Sequence, residues 1–185
     1  GIGHLGCATR PIRDFTKPCR VVFIGRLEPG KGLQSLLEAI VILRDQEPRL
    51  QFSVDIYGKG REYKILEQTI RNWQLSDIVH LHGHRDKAAE VLTEYDVLVL
   101  PSSLEGNSNV ILEAMAAGLP VVSTNVGGTP MLLGPEGELW MHQPGDAQAL
   151  ACLLKKLISN DSVREELGAA MRRRVERYFD MRVVA

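Results

Sequence analysis

Short apolar runs rich in β-branched residues alternate with amphipathic stretches along nearly the whole chain, and this alternation limits the fold more than any other feature. Arg20–Gly25, Leu50–Tyr57, Ile78–His82, Asp96–Leu100 and Pro120–Thr124 read as strands, and Glu138–Met141 as a short sixth. Between and after them, Leu33–Gln46, Glu62–Gln74, Lys87–Tyr95, Val110–Ala117, Ala147–Ser159 and Ser162–Phe179 carry apolar residues at helical spacing. In the first of these Leu33, Leu36, Leu37, Ile40 and Leu43 form the stripe; in the second Ile65, Leu66, Ile70 and Trp73 share one side. Strands with few polar residues, each followed by a helix, form a parallel sheet covered on both faces. The expectation is therefore an α/β fold with a parallel sheet of about six strands and helices on both faces. Residues 1–19 read as a lead-in and residues 20–185 as one domain. In such sheets ligands sit beyond the carboxyl ends of the strands, so the residues after each strand are the ones to question.

Composition excludes several classes. A chain of 185 residues buries roughly 70% of its unfolded surface, enough for a core without disulfide or metal staples. The formal net charge of −1 argues against a nucleic-acid or polybasic membrane module, and two Trp, four Tyr and four Phe leave little for base stacking. Apolar runs fall well short of the ~20 residues a transmembrane helix needs. There is no signal-peptide pattern, and the chain opens Gly1-Ile2-Gly3 without Met, so a piece of a longer protein is expected. Cys7, Cys19 and Cys152 are odd in number and lack ligand spacing, which reads as reduced thiols in a cytosolic protein. Peripheral membrane attachment of the full-length protein is left open. His80, His82 and His84 alternate as metal ligands on a strand could, but no carboxylate or cysteine stands at a ligand spacing, so no metal site is expected.

The loop after the first strand, Gly25-Arg26-Leu27-Glu28-Pro29-Gly30-Lys31-Gly32, nearly fits a P-loop, but Gly32 replaces the hydroxyl residue that holds magnesium. No later strand ends in the acidic partner of a nucleoside triphosphatase, so that activity is rejected while its physics is kept. Glycines let backbone amides approach an anion, and Arg26 and Lys31 add cations; the alternative is a tight turn with two solvated charges. Gly58-Lys59-Gly60 follows another strand, but Tyr63 occupies the third glycine position of a dinucleotide fingerprint. It reads as a close-approach turn bordering a nucleotide. The stretch Glu105-Gly106-Asn107-Ser108-Asn109-Val110 precedes a helix in which Glu113 is the only charge from Val110 to Ala117. Asn107, Ser108 or Asn109 can cap that helix, with no capping-box partner, which leaves first-turn amides for a ligand phosphate. Glu113 needs a partner among its apolar neighbours: either a core Arg or Lys, or the hydroxyls of a ribose. Glu105 is placed to reach a sugar hydroxyl. Cations and amides for a diphosphate, with carboxylates for ribose and sugar, together suit a nucleotide-diphosphate sugar.

These motifs in this order, with Glu113-Ala-Met-Ala-Ala-Gly-Leu-Pro-Val-Val and Gly127-Gly128, resemble the family-four retaining glycosyltransferases over about residues 20–180. The resemblance is to the carboxyl-terminal, donor-binding half of the GT-B fold, a Rossmann-like domain. It implies that Arg26 and Lys31 neutralise the leaving diphosphate in place of a metal, with no cofactor, and that Glu105 contacts the transferred sugar. It further implies that Gly106, Asn107, Ser108, Asn109 and Val110 line the phosphate or sugar, Glu113 binds the ribose, Gly25, Gly58 and Gly60 border the nucleotide, and the chain at His84 passes the base. The acceptor, a glycan, lipid or small molecule, would come through an amino-terminal half. By itself the chain would bind donor with little or no turnover. The Tyr178-Phe179-Asp180 region resembles the segment that crosses back to that half.

Two departures stand out: Met131 follows the Gly-Gly pair where the family commonly has Glu, and Asn107 replaces an aromatic after Glu-Gly. Two other readings remain: a nucleotide-sugar epimerase of the same fold, and a non-catalytic nucleotide-sugar-binding module. The run Arg172-Arg173-Arg174 with Arg177 reads as the solvated face of the last helix.

Overall fold

In a computed structural model, described over residues 17–85, 88–106 and 108–179, strands β1 (Cys19–Ile24), β2 (Phe52–Tyr57), β3 (Val79–Gly83), β4 (Val97–Leu100), β5 (Val121–Thr124) and β6 (Met141–His142) form one sheet. Every pairing is parallel, in the order β3-β2-β1-β4-β5-β6. The α/β class and Rossmann-like sheet expected from the alternation are what the chain forms. The central strands are apolar because both faces are covered: Val97, Leu98, Val99 and Leu100 are all buried.

The helices are α1 (Leu33–Gln46), α2 (Tyr63–Asn72), α3 (Ala88–Leu92), α4 (Asn109–Ala116), α5 (Thr129–Gly137), α6 (Ala147–Ile158) and α7 (Asp161–Tyr178). Strand order runs outward from β1 one way and from β4 the other, so right-handed crossovers place α1 and α2 on one face and α4 on the opposite face. The α1 stripe is buried as expected and packs on α6, while α4 packs on α7. Order reversal between β1 and β4 opens a crevice at their carboxyl ends, which is where this topology binds ligands.

Cys7, most of the lead-in, Lys87, Asn107 and Asp180 lie outside the described residues. Several expectations are corrected elsewhere. Ile65 is 63% exposed, because the buried stripe of α2 follows Leu66 and Ile70, and an adjacent residue is turned about 100° away. The same helix ends at Asn72; Gln74 takes a left-handed φ of 56° and returns Leu75 to the core. The region read as a loop at Gly127–Pro130 becomes helical at Thr129, where Pro130 suits a first turn. Glu138–Trp140 is a 3₁₀ turn, and the sixth strand is Met141–His142, paired with Ser123 and Thr124. Arg174 is not on a solvated face: it donates to the Leu132 and Met131 carbonyls, both at 2.8 Å, because α5 breaks at Gly134 and leaves carbonyls to satisfy.

Candidate functional site at the strand-order reversal

Two loops meet at the crevice. Gly32 begins α1 with φ 71°, and a Cβ there would lie 1.8 Å from the Pro101 carbonyl oxygen. Only glycine permits both that conformation and that approach. The Ser103 amide and hydroxyl both donate to the Gly30 oxygen, at 2.8 and 3.1 Å. Contact between the loops after β1 and β4 carries Lys31 to Glu105, Nζ to Oε1 2.7 Å, and the Ser102 hydroxyl donates to the same oxygen at 2.6 Å. These side chains are 21% and 11% exposed, so the pair is held in a partly desolvated place that still opens to solvent.

Strand β5 braces this loop. Ser123 Oγ donates to the Leu100 oxygen at 2.8 Å and Thr124 Oγ1 to the Ser102 oxygen at 2.5 Å. Gly127, at φ 52°, lies against the Glu105 carbonyl, where a Cβ would come within 1.7 Å. The Glu105 position is therefore fixed from three sides by residues far apart in sequence.

Beyond the loop, α4 starts at Asn109 with Ser108 as N-cap, and no side chain among the described residues caps its amides. Ser108, Asn109 and Val110 thus stand at first-turn amides with no side-chain cap among the described residues, a setting that favours an anion. Glu113 follows in the second turn among buried Ile111, Leu112, Ala114 and Met115. Its side chain has no hydrogen-bond or ion-pair partner among the described residues, and burial raises its pKa above the ordinary 4.5. The core Arg or Lys that one reading required is therefore absent among those residues.

At the ends of β1, β2 and β3, Ile24, Gly25, Arg26, Tyr57, Gly58, Lys59, His84 and Arg85 surround a cavity of about 220 Å³. Its loops are joined through backbone: Gly25 N to Tyr57 O 3.0 Å, Leu27 N to Lys59 O 2.9 Å, Gly58 N to Gly83 O 2.7 Å. Gly58 faces the Gly25 oxygen, whereas Gly60 packs on the Leu27 carbonyl and does not line the cavity. Arg26 is exposed, and nearby Glu28 is held by Arg61 at 2.7 Å, which keeps its pKa below the usual value. Gly106 is exposed in the loop after β4.

The structure therefore gathers the expected residues into three adjoining groups: the cavity with Gly25, Arg26, Gly58 and His84; the Lys31–Glu105 pair; and the start of α4 with Glu113. Ser102, Tyr57, Lys59 and Arg85 also take part and were not singled out from sequence. Ser102 had a signal, a hydroxyl directly after the strand-ending Pro101; Tyr57 carried none, reading as an ordinary strand residue. Among the described residues no three His, Cys, Asp or Glu side chains group to hold a metal ion. Nor is any helix among them long and apolar enough to cross a membrane.

Comparison with known proteins follows the same lines. AmsK, an amylovoran biosynthesis glycosyltransferase of Erwinia amylovora, is 33% identical over 93% of this chain and 44% of its own. The chain thus spans less than half the length of this curated relative. The crystal structure of Anabaena HepE in complex with UDP and glucose superposes with TM-score 0.79 at 25% identity, over 91% of this chain and 46% of that one. The carboxyl-terminal domain of LpcC, a Francisella tularensis glycosyl transferase group 1 protein, shares the fold with TM-score 0.77 at 23% identity, over 91% of this chain and 90% of that domain. Residues 18–160 match the family described as glycosyl transferases group 1, and the chain belongs to it.

Proposed function

We propose that the chain is the donor-binding domain of a retaining glycosyltransferase, moving a sugar from a nucleotide-diphosphate sugar to an acceptor hydroxyl. The observation that carries this reading is Glu113, a half-buried carboxylate with no partner among the described residues, just past the strand-order reversal. A carboxylate left unpaired in apolar surroundings costs stability unless a ligand satisfies it, and a ribose diol offers two donors to one carboxylate. The Anabaena relative binds UDP and glucose, which supports the same ligand class here.

In this reading the nucleotide lies from the cavity at β1–β3 across the reversal to α4. Arg26, Lys31 and the first-turn amides at Ser108–Val110 stabilise the charge that develops on the departing diphosphate, a role electrostatics performs well in a partly dry site. No metal or cofactor is invoked, since these cations and amides supply the positive field. Glu105, immobilised by Lys31 and Ser102, presents its second oxygen to a hydroxyl of the transferred sugar. The acceptor site belongs to a second half, so this chain binds donor while turning it over poorly by itself.

Calorimetric titration of the chain with UDP-glucose, GDP-mannose and ADP-glucose tests the reading. Binding by one nucleotide type, lost in Lys31→Ala and Glu113→Ala, is the expected result. A folded chain that binds none of the three overturns it.

A further inference from the structure

Behind the cavity lies a closed ring of polar side chains that the proposed transfer does not use. Tyr57 Oη meets Tyr95 Oη at 3.0 Å. The Arg20 guanidinium sits 4.3 Å over the Tyr95 ring, and its Nη2 lies 3.8 Å from Asp55 Oδ2. Asp55 Oδ1 is hydrogen-bonded to His82 Nε2, and the His82 ring stacks on Tyr57, centroids 4.6 Å apart and 16° from parallel. The circuit thus joins β1, β2, β3 and Tyr95, two residues before β4. Asp55, Tyr57 and Tyr95 are buried, while His82 is 37% exposed, so protons reach the ring at His82.

Tyr57 belongs both to this ring and to the cavity wall. His82 precedes Gly83, whose carbonyl holds the Gly58 amide, and His84 and Arg85 follow on the wall. We propose that His82 is a positioning residue that acts through Tyr57 and the Gly58–Gly83 bond, so that nucleotide occupancy of the cavity strengthens when His82 takes up a proton. This rests on the reading of the cavity as part of the donor site.

Two interactions set the direction, because each holds Tyr57 and the Gly83 end of β3 in place and so orders the cavity wall before a nucleotide arrives. Protonation turns the bond to Asp55 into an ion pair with charge on both partners. It also places a cation against the face of Tyr57. Among the described residues, the charged and titratable groups facing His82 are Asp55 and Tyr57 from β2, His80 on its own strand at 6.4 Å, and Arg20 across Asp55. Arg20 is itself held by the Glu94 carbonyl and carboxylate, and its backbone amide donates to the Asp96 carboxylate. Imidazole is the side chain whose charge ordinarily changes between about pH 5 and 8. His84 is the other imidazole on the wall, and the test separates it.

The experiment titrates the full chain with UDP-glucose, GDP-mannose and ADP-glucose between about pH 5.5 and 8, a range in which their diphosphates do not titrate. The tightest probe is expected to bind about fivefold more strongly at the acid end, the lower end of ordinary coupling. His84→Gln keeps that slope, whatever it does to overall affinity, and His82→Gln flattens it. A slope that survives His82→Gln, or disappears in His84→Gln, overturns the proposal while leaving the donor-site reading intact. A ligand-free measurement completes the test: the Gly58 amide resonance is expected to shift between about pH 5.5 and 8 in the parent chain and to stay still in His82→Gln. A Gly58 amide indifferent to His82 overturns the proposal even if no probe binds, whereas coupled titration without binding sinks the donor-site reading instead.

Discussion

Glu105 and Glu113 are the same residue eight positions apart, and the loop after β4 and helix α4 treat them in opposite ways. Glu105 is answered by the protein: Lys31 at 2.7 Å, Ser102 at 2.6 Å, and a backbone pinned by Gly127. Glu113 is answered by nothing among the described residues, and burial raises its pKa. The contrast separates two ways of preparing a site. One carboxylate is immobilised in advance, so it presents a fixed oxygen; the other is kept energetically unsatisfied, so that binding relieves it. Replacing each partner should therefore have different consequences for stability and for binding.

The largest effect is expected from Lys31→Ala. It removes a cation from the crevice and strands Glu105 at 11% exposure. Breaking a partly buried pair costs about 2–3 kcal/mol, somewhat less than for a fully dry one. Donor affinity should fall by roughly 100-fold, since charge-assisted bonds to a diphosphate are lost. Adding Glu105→Gln sharpens the comparison: denaturant unfolding should show stability recovering while calorimetry shows donor affinity still lowered by roughly 100-fold or more. If binding returns with stability, Lys31 serves only Glu105.

Glu113→Gln is expected to move the two quantities in opposite directions. Donor affinity drops by about tenfold or more, as for loss of hydrogen bonds to a charged group. Stability of the unliganded chain rises at neutral pH, because a desolvated charge has been removed. The pH dependence follows from linkage. The folded pKa lies above the ordinary 4.5, so the native state holds this proton more tightly than the unfolded chain. Any stability from that proton is complete below 4.5 and is lost as pH rises through the folded value. The gap between Glu113→Gln and the parent should therefore close in acid and widen toward neutrality in thermal melts. A variant less stable than the parent at pH 7 would mean that Glu113 has a partner after all.

The two regions also differ in how far they could be read from sequence. The strand–helix alternation, the Gly25–Gly32 turn and the isolation of Glu113 are local patterns, visible because period, glycine and a lone charge are properties of neighbouring residues. The Lys31–Glu105 pairing spans 74 positions. It depends on Gly32 admitting Pro101 to its backbone, which no local pattern reports. Tyr57 and Tyr95 looked like ordinary members of a strand and a helix, although their hydroxyls meet at 3.0 Å. Arg174 misled for the same reason: helical spacing placed it with its arginine neighbours outside, but the break in α5 at Gly134 left carbonyls that draw it inward. What stayed hidden is contact set by tertiary approach of backbones.

Arg174 provides a test that touches one region and spares the other. Its guanidinium occupies the space next to Gly134, where a Cβ would lie 2.1 Å from Cζ, and it binds the last carbonyls of the first α5 segment. That segment starts at the Gly127–Gly128 pair behind Glu105. Arg174→Ala should cost about 1–2 kcal/mol through two unsatisfied carbonyls. Donor affinity should weaken by only about threefold, because the loop bearing Glu105 loosens while Glu113 and α4 keep their geometry. Hydrogen exchange should then rise at Gly128 and Thr129 and stay unchanged at Leu112 to Met115. Equal loosening of α4 would erase the distinction between the two regions.

The smallest expected effect comes from His142, at the far edge of the same brace. Its backbone oxygen accepts from Asn125 at 2.9 Å, and its strand flanks the Ser123–Thr124 pair that holds the loop of Glu105. The ring is 5% exposed, its Nδ1 pairs with the Gln143 oxygen at 2.9 Å, and Nε2 is buried with no partner among the described residues. Burial lowers its pKa below the ordinary 6.5, so the folded chain holds a neutral imidazole that the unfolded chain protonates more readily. The unfolded state therefore binds more protons as pH falls below 6.5, and stability declines with it. His142→Leu removes that titration. The parent should lose ground to this variant between about pH 7 and 5.5, with exchange rising first at Ser123 and Thr124. Glu113 contributes the opposite sign over acid pH, since its proton favours the folded state. Acid is thus expected to loosen the support of the partnered glutamate while relieving the unpartnered one, and parallel acid profiles for His142→Leu and the parent would remove the first half of that opposition.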